Sequence, residues 1–187
     1  MSSTRLRRIA AGALLACAAL VIAAMPTHVA TGGSTLAVRC DPGDCPGGPT
    51  NSFTADTLVL MADGSTRRIA DVRPGDQVAA TDPATGATTA QTVVATIVGT
   101  GSKNLIEITF AAGSLTATAN HRFWVAGHGG WYTAAELAVG DLLGGDGRLR
   151  VAGLRATTRF TTVYNLDVTG PQTFTVQVAG RQVTVHE

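Results

Sequence analysis

The sequence predicts an all-β domain of short antiparallel strands, and three observations support this fold class. Thr, Val, Ala and Gly dominate the composition and only 14% of the residues are charged, which favours strands and turns over charged helices. From Thr57 onward, apolar residues alternate with a period of two between turn sequences. No segment carries a sustained helical stripe, and only Thr133 to Val139 could make a helical turn.

The chain begins with the pattern of an export signal. Three arginines precede an apolar run from Ile9 to Met25, and Pro26 ends the run. A membrane anchor is the alternative, because the run is nearly long enough to span a bilayer, but no basic cluster follows it. We therefore predict a signal peptide over residues 1–30, cleaved after Ala30. The mature protein would be secreted or on the cell surface, with no stable membrane span.

Residues 31–51 are rich in Gly, Pro, Asp and Ser. This composition cannot bury enough apolar surface to order itself, so we predict a flexible linker. Cys40 and Cys45 are the only cysteines that remain after the leader is removed, and in an exported protein a small disulfide loop between them is the natural expectation. The two thiols could also stay free or pair between chains, and they are too few ligands for a metal site.

The 187 residues leave room for one domain of ordinary size after the leader, and we place that domain at residues 52–187. Asp63-Gly64 supplies the positive backbone angles of a tight hairpin turn between its first two strands. The predicted strands are Thr57 to Met61, Ser65 to Ile69, Gln77 to Thr81, Thr89 to Gly99, Asn104 to Phe110, Ser114 to Ala119, Arg148 to Arg159, Thr162 to Val168 and Phe174 to His186.

A short internal repeat indicates how the strands are organised. Ile69 to Asp76 and Ala134 to Asp141 share the pattern Ala-acidic-aliphatic-x-x-Gly-Asp, and each copy leads into a strand. The domain could consist of two related β halves about a pseudo-twofold axis, or the same turn motif could have arisen twice.

The net charge excludes some classes of partner. Lys and Arg number 14 against 13 Asp and Glu, which gives a formal charge of +1. This balance offers no electrostatic reason to expect a nucleic acid or an anionic membrane as partner.

Four ordered blocks together resemble the Hint (Hedgehog/intein) family, and among its branches they are most similar to the Hint domains of bacterial secreted polymorphic toxins. Thr118-Ala119-Asn120-His121 is similar to the internal Thr-x-x-His block of the family. The N-terminal block is made of four segments: Ser52 to Thr57, Val59 to Gly64, Val72 to Val78 and Ala80 to Pro83. The third block is the strand Tyr164 to Val168, and the fourth is the terminal motif Val183 to His186.

The resemblance implies self-cleavage in cis, a single turnover at the Asn51–Ser52 bond. A hydroxyl just after a peptide bond can attack the preceding carbonyl through a five-membered ring and turn the amide into an ester. The resemblance makes Ser52 that nucleophile and His121 the proton donor to the leaving nitrogen, while Thr118 holds or polarises the amide. Alternatively, Thr118 is an ordinary strand residue and His121 a half-buried histidine with no catalytic part.

Three departures from the family pattern weaken the expected activity. The penultimate His of the family, His186 here, promotes cyclisation of a following Asn, but Glu187 follows it and the sequence ends there, so we expect the C-terminal splicing step to be lost. Gln172 falls where many members carry a catalytic His, and a neutral amide cannot shuttle a proton in the same way. Ser52 replaces the commoner Cys, and a hydroxyl ionises less readily than a thiol.

Two other interpretations remain open. The domain could be a catalytically inert secreted β module, kept for binding or as a remnant of a toxin-delivery protein. A zinc hydrolase site built from His121, His128 and His186 is conceivable, but the spacing matches no ligand motif, so we predict neither a metal nor another cofactor. His128 lies in a predicted surface loop, Gly127 to Trp131, which Trp124 and Tyr132 flank as packing residues.

Overall fold

A computed structural model describes residues 51–144 and 149–187. The predicted signal peptide, residues 31–50 of the linker and the Cys40–Cys45 pair lie outside these residues. No helix within the described ranges is long and apolar enough to cross a membrane. Regular structure there consists of β-strands and one 3₁₀ turn, Ile69–Asp71, which confirms the all-β prediction.

Twelve strands are present in the described residues. In chain order they are β1 (Phe53–Thr54), β2 (Leu58–Leu60), β3 (Thr66–Arg68), β4 (Gln77–Thr81), β5 (Thr88–Phe110), β6 (Gly113–Thr118), β7 (Arg122–Val125), β8 (Gly130–Thr133), β9 (Leu142–Leu143), β10 (Leu149–Val168), β11 (Thr173–Val178) and β12 (Arg181–His186). The strand order is β3-β2-β11-β12-β7-β9-β10-β1-β6-β5-β4, with β8 paired to β7 and β10 also paired to β5.

Two strands are much longer than the sequence predicts. Thr100 to Lys103 was expected to separate two strands, yet each of these residues pairs with a residue of β10, from Thr162 back to Arg159. Gly101 does not interrupt the strand because the partner supplies a continuous ladder. The same ladder carries β10 through the predicted break at Phe160-Thr161. The separate strands predicted on either side of each break are therefore wrong.

The last predicted strand, Phe174 to His186, is a hairpin instead. Ala179 and Gly180 form its two-residue turn, with φ of 48° and 77°, and Val178 pairs with Arg181 across it. Such turns need positive φ at both positions and usually carry Asn-Gly, Asp-Gly or Gly-Gly. Ala179 stands at the first position, so the sequence did not indicate a turn.

The sequence also missed β1, β7, β8 and β9. The expected surface loop Gly127 to Trp131 ends early, because Gly130 and Trp131 belong to β8. Thr133 to Val139, the one segment where a helical turn was possible, contains a single turn closed by a bond of 2.9 Å from the Glu136 N–H to the Thr133 carbonyl.

The two copies of the sequence repeat form the same turn. In the first copy, the Gly75 N–H donates to the Val93 carbonyl at 2.8 Å, and the Val93 N–H donates to the Asp76 backbone carbonyl at 2.9 Å. In the second copy, Gly140, Val151 and Asp141 form the same two bonds at the same two distances. The equivalence extends upstream of the repeat. The Thr57 N–H donates to the Thr54 carbonyl at 3.1 Å, and the His121 N–H donates to the Thr118 carbonyl at 3.0 Å. This favours two related halves over a turn that arose twice.

The matched turns give a stability prediction. Gly75 and Gly140 have φ of 93° and 104°, where a side chain strains the backbone, so Gly75→Ala and Gly140→Ala should each destabilise by about 1–2 kcal/mol. Urea unfolding of each variant measures this. Gly127→Ala is the control, because a Cβ there meets nothing within 4 Å and no positive φ is required. Equal losses in all three variants would contradict the explanation.

Candidate functional site

Ser52 lies just before the two-residue strand β1, which is paired on both sides. Phe53 pairs with Ala117 of β6 on one side and with Tyr164 of β10 on the other. The Ser52 side chain is fully buried. Its carbonyl accepts a hydrogen bond of 2.8 Å from the Thr118 N–H, so the β1–β6 ladder continues through Ser52.

Thr118 holds the peptide bond that was predicted to be cleaved. The amide N–H of Ser52, which belongs to the Asn51–Ser52 bond, donates to Thr118 Oγ1 at 2.9 Å. The same hydroxyl lies 3.3 Å from the Ser52 carbonyl oxygen, to which it donates. Thr118 therefore fixes the plane of the residue that would supply the nucleophile.

His121 lies beside this bond and is fully buried. Its ring is buried and packs on Phe53, with a centroid distance of 4.1 Å, and on Phe123 at 5.4 Å. The backbone holds it at both ends, since its N–H donates to the Thr118 carbonyl and its own carbonyl accepts from the Ala134 N–H at 2.8 Å. The ring can therefore move little.

Burial lowers the pKa of His121 from 6.5 to about 3, and the nearby His186 adds to this lowering. The Asn51 backbone opposes both effects. Neither ring nitrogen forms a hydrogen bond of normal length and angle with the described residues, so the interaction with the Asn51 backbone is weak. At neutral pH the ring is therefore uncharged and carries no extra proton to donate.

His186 and Glu187 lie at the end of β12. The His186 ring meets the Trp131 ring edge-on at 5.4 Å, and its Nδ1 lies 2.9 Å from the Glu187 carbonyl oxygen. The Glu187 side chain accepts the Val168 N–H at 2.6 Å. Burial raises the pKa of this carboxyl, with a contribution from Asp167.

None of the hydrogen bonds or ring contacts that the remaining candidates make with the described residues involves Ser52. Gln172 is an exposed residue with φ of 57° in the turn before β11, and its carbonyl accepts the Glu187 N–H at 3.0 Å. His128 is half exposed, and its Nε2 lies 3.2 Å from Asp141. Trp124 and Trp131 pack edge-on with each other. Within the described ranges, no three His, Cys, Asp or Glu side chains come together as a metal site.

Sequence reasoning missed one polar residue near this site. The described residues contain four buried side-chain atoms without a hydrogen-bond partner, and these are Ser52 Oγ, both ring nitrogens of His121, and Asn165 Oδ1. The pattern predicts Asn165 only as a strand residue. A polar side chain between Tyr164 and Leu166 in a buried strand was the available signal.

Comparisons with known proteins agree with this architecture. The family model described as "Pretoxin HINT domain" matches residues 58–187. The solution structure of a bacterial intein-like domain from Clostridium thermocellum is 30% identical, with a TM-score of 0.62, and the match covers 73% of this chain and 99% of that one. No curated protein matches the chain.

Two inteins show the same fold at lower identity. A DnaB intein from Synechocystis is 21% identical, with a TM-score of 0.58 over 73% of this chain and 98% of its own. The gp41-1 intein is 18% identical, with a TM-score of 0.55 over the same two shares. The family match, which spans most of the chain, and the shared fold lead to one conclusion: this protein belongs to the pretoxin Hint domain family.

Proposed function

We propose that residues 52–187 form an exported self-processing domain that cleaves its own chain between Asn51 and Ser52. The supporting observation is the hydrogen bond of 2.9 Å from the Ser52 amide to Thr118 Oγ1. It fixes this bond beside a buried Ser52 hydroxyl and a buried, uncharged His121.

The first step is an N-to-O acyl shift. Ser52 Oγ attacks the carbonyl carbon of Asn51, a C–O bond forms, and the hydroxyl proton must leave. A neutral His121 can take that proton and then give it to the Ser52 nitrogen as the C–N bond breaks. The products are an Asn51 ester on Ser52 Oγ and a free Ser52 amine, with no net proton gained or lost.

His121 therefore acts as a proton shuttle and not as a proton donor from the start. Its low pKa keeps the ring unprotonated at neutral pH, which is the form that can accept a proton. The same low pKa makes the ring a weak base, and it makes the imidazolium that forms a strong acid toward the Ser52 nitrogen. Thr118 contributes by holding the Ser52 N–H and carbonyl while the bond rearranges. Water or another nucleophile then releases Asn51 and restores the Ser52 hydroxyl.

The C-terminal step is absent from this proposal. Asn attacks its own backbone carbonyl through the amide nitrogen, and a carboxyl has no such nitrogen. Glu187 instead uses its side chain to accept the Val168 N–H. His186 Nδ1 lies 2.9 Å from the Glu187 carbonyl oxygen, and the residue that follows this histidine is not an asparagine.

Hydroxylamine tests the cleavage, because it attacks esters far faster than amides. The purified protein incubated with hydroxylamine near pH 7 should give two fragments, one ending at Asn51 and one beginning at Ser52, detected by intact mass. Ser52→Ala should abolish the cleavage, and Ser52→Cys should speed it, because a thiol ionises more readily.

Ser102→Ala is the matched control, since Ser102 is an exposed residue of β5. It should cleave at the wild-type rate. A wild-type protein that stays intact after prolonged incubation would contradict the proposal. The alternative, a catalytically inert secreted module, would then remain.

A further inference from the structure

We propose that Trp124 and Trp131, the tryptophan pair, form a docking surface whose occupant is Pro46 to Pro49 of the same chain. Docking there holds the segment that leads into Asn51 and so presents the Asn51 carbonyl to Ser52. The effect on cleavage rests on the proposed function, whereas the docking itself does not.

The tryptophan pair lies on the outer face of the β7–β8 hairpin. Phe123 and Val125 of β7 are fully buried, and Trp124 between them is partly exposed. Trp124 pairs directly with Trp131 of β8, and side chains opposite each other in an antiparallel pair share a face. Their rings meet edge-on with a centroid distance of 5.5 Å.

This apolar surface is not used by the core. Among the described residues, Tyr132 is one of the partly buried side chains that pack against the core, but neither tryptophan is. A tryptophan side chain has a large apolar area, and burying that area is strongly favourable. Two adjacent tryptophans that stay partly exposed therefore present a surface that a partner can cover.

His186 connects the tryptophan pair to the proposed cleavage site. The Trp131 ring meets the His186 ring edge-on at 5.4 Å. His186 in turn is near enough to His121 to lower the pKa of that ring, on which the Asn51 backbone also acts. A short series of neighbours therefore leads from Asn51 through the two histidines to Trp131.

The length of the linker suits it as the occupant. The linker lies outside the described residues and joins them at Asn51, and Pro49 and Pro46 are two and five residues before that point. An extended chain covers about 3.6 Å per residue, so Pro49 reaches about 7 Å from Asn51 and Pro46 about 18 Å. The steps between neighbouring rings, 5.4 Å from His186 to Trp131 and 5.5 Å from Trp131 to Trp124, fall within this reach.

The sequence of this segment suits a surface of two indole rings. Pro46-Gly47-Gly48-Pro49 carries prolines three residues apart, and a polyproline II helix has three residues per turn, so both prolines lie on one side of it. Segments with this Pro-x-x-Pro spacing dock in grooves lined by aromatic side chains. The two glycines between them have no side chains, so the prolines present the only apolar surface of the segment.

Tryptophan fluorescence tests the docking directly, because Trp124 and Trp131 are the only tryptophans in the sequence. The probe is acrylamide quenching of the purified Ser52→Ala protein, which keeps its linker attached. Adding Pro46→Ala and Pro49→Ala together should raise the quenching constant, because the indole rings lose their cover. Pro42→Ala is the matched control in the same linker, and it should be quenched like the Ser52→Ala parent. All three prolines precede residues 52–187, so these changes leave the folded domain intact.

Cleavage by hydroxylamine tests the effect on Asn51. With Ser52 restored, the Pro46→Ala/Pro49→Ala protein should cleave about threefold to tenfold more slowly than wild type, because the segment before Asn51 must then be ordered without its contacts. Pro42→Ala should cleave at the wild-type rate.

Equal quenching with and without the two prolines would overturn the docking. Quenching that changes with protein concentration would overturn it as well, because a second copy of the chain would then cover the tryptophan pair. Increased quenching with a wild-type cleavage rate would overturn the role in presenting Asn51. If wild type is not cleaved at all, the proposed function fails, while the quenching comparison still decides whether Pro46 to Pro49 docks.

Discussion

Acidification from pH 7 to pH 3 should cost the folded domain about 5 kcal/mol through His121 alone. The folded-state pKa of His121 is lowered from 6.5 to about 3 by burial, and each unit of difference is worth about 1.4 kcal/mol. Between these two values the unfolded chain binds a proton on this ring and the folded chain does not. The stability is therefore fully present above pH 6.5 and is lost as the pH falls toward 3.

The window from pH 6.5 to pH 5 isolates this effect. The pKa values of Asp63, Asp76, Asp82 and Glu136 are lowered, chiefly by hydrogen bonds to the carboxylates. These groups add to the acid loss only below about pH 4.5. Burial raises the pKa of Glu187, which acts in the opposite direction. Within the window, His121 should account for a loss of about 2 kcal/mol.

Urea unfolding at pH 7.5, 6.5, 5.5 and 5 measures the slope, and His121→Gln is the comparison. Gln does not titrate, so the variant should lose about 2 kcal/mol less than wild type over the window. His128→Gln is the matched control, because His128 is half exposed in a loop, and it should keep most of the wild-type slope. A His121→Gln protein with the full wild-type slope would show that the ring is not held neutral.

Local sequence signals predict much of the fold. The expected hairpin forms around Asp63-Gly64, with Leu58 paired to Arg68 and Leu60 to Thr66. Its loop is longer than the predicted tight turn, and of these two residues only Gly64 has a positive φ. The repeated Gly-Asp motif forms two identical turns because its backbone bonds are all local or reach one neighbouring strand. Turn chemistry and apolar alternation are properties of short segments, so they can be read from the sequence alone.

Strand pairing between distant parts of the chain could not be predicted from the sequence. Nothing near Gly99 to Lys103 indicates that β10, more than fifty residues away, supplies a partner for every residue there. A family resemblance predicts that Ser52, Thr118 and His121 lie together, whereas nothing local predicts that β1 pairs with both β6 and β10. The low pKa of His121 likewise depends on rings contributed by distant strands.

Phe53→Ala should be among the most damaging single substitutions in the domain, at about 3–5 kcal/mol. The Phe53 side chain is fully buried, and its ring contacts the rings of His121, Phe123 and Phe174, at centroid distances of 4.1, 6.1 and 6.2 Å. Truncation loses the free energy gained by transferring the ring from water to the core. It also leaves a cavity, and β1 cannot move to fill it because the strand is paired on both sides. Urea unfolding at pH 7.5 gives the free energy directly.

Phe160→Ala is the matched control, because Phe160 is 74% exposed and its loss should change stability by less than about 0.5 kcal/mol. The two truncations remove the same atoms, so their difference measures burial. Phe53→Leu should lose less stability, yet it should still slow cleavage, because the face that holds the His121 ring at 4.1 Å is gone. A Phe53→Leu protein that cleaves at the wild-type rate would show that His121 is positioned by its backbone bonds alone. Equal stability losses in the Phe53→Ala and Phe160→Ala proteins would contradict the packing of β1 itself.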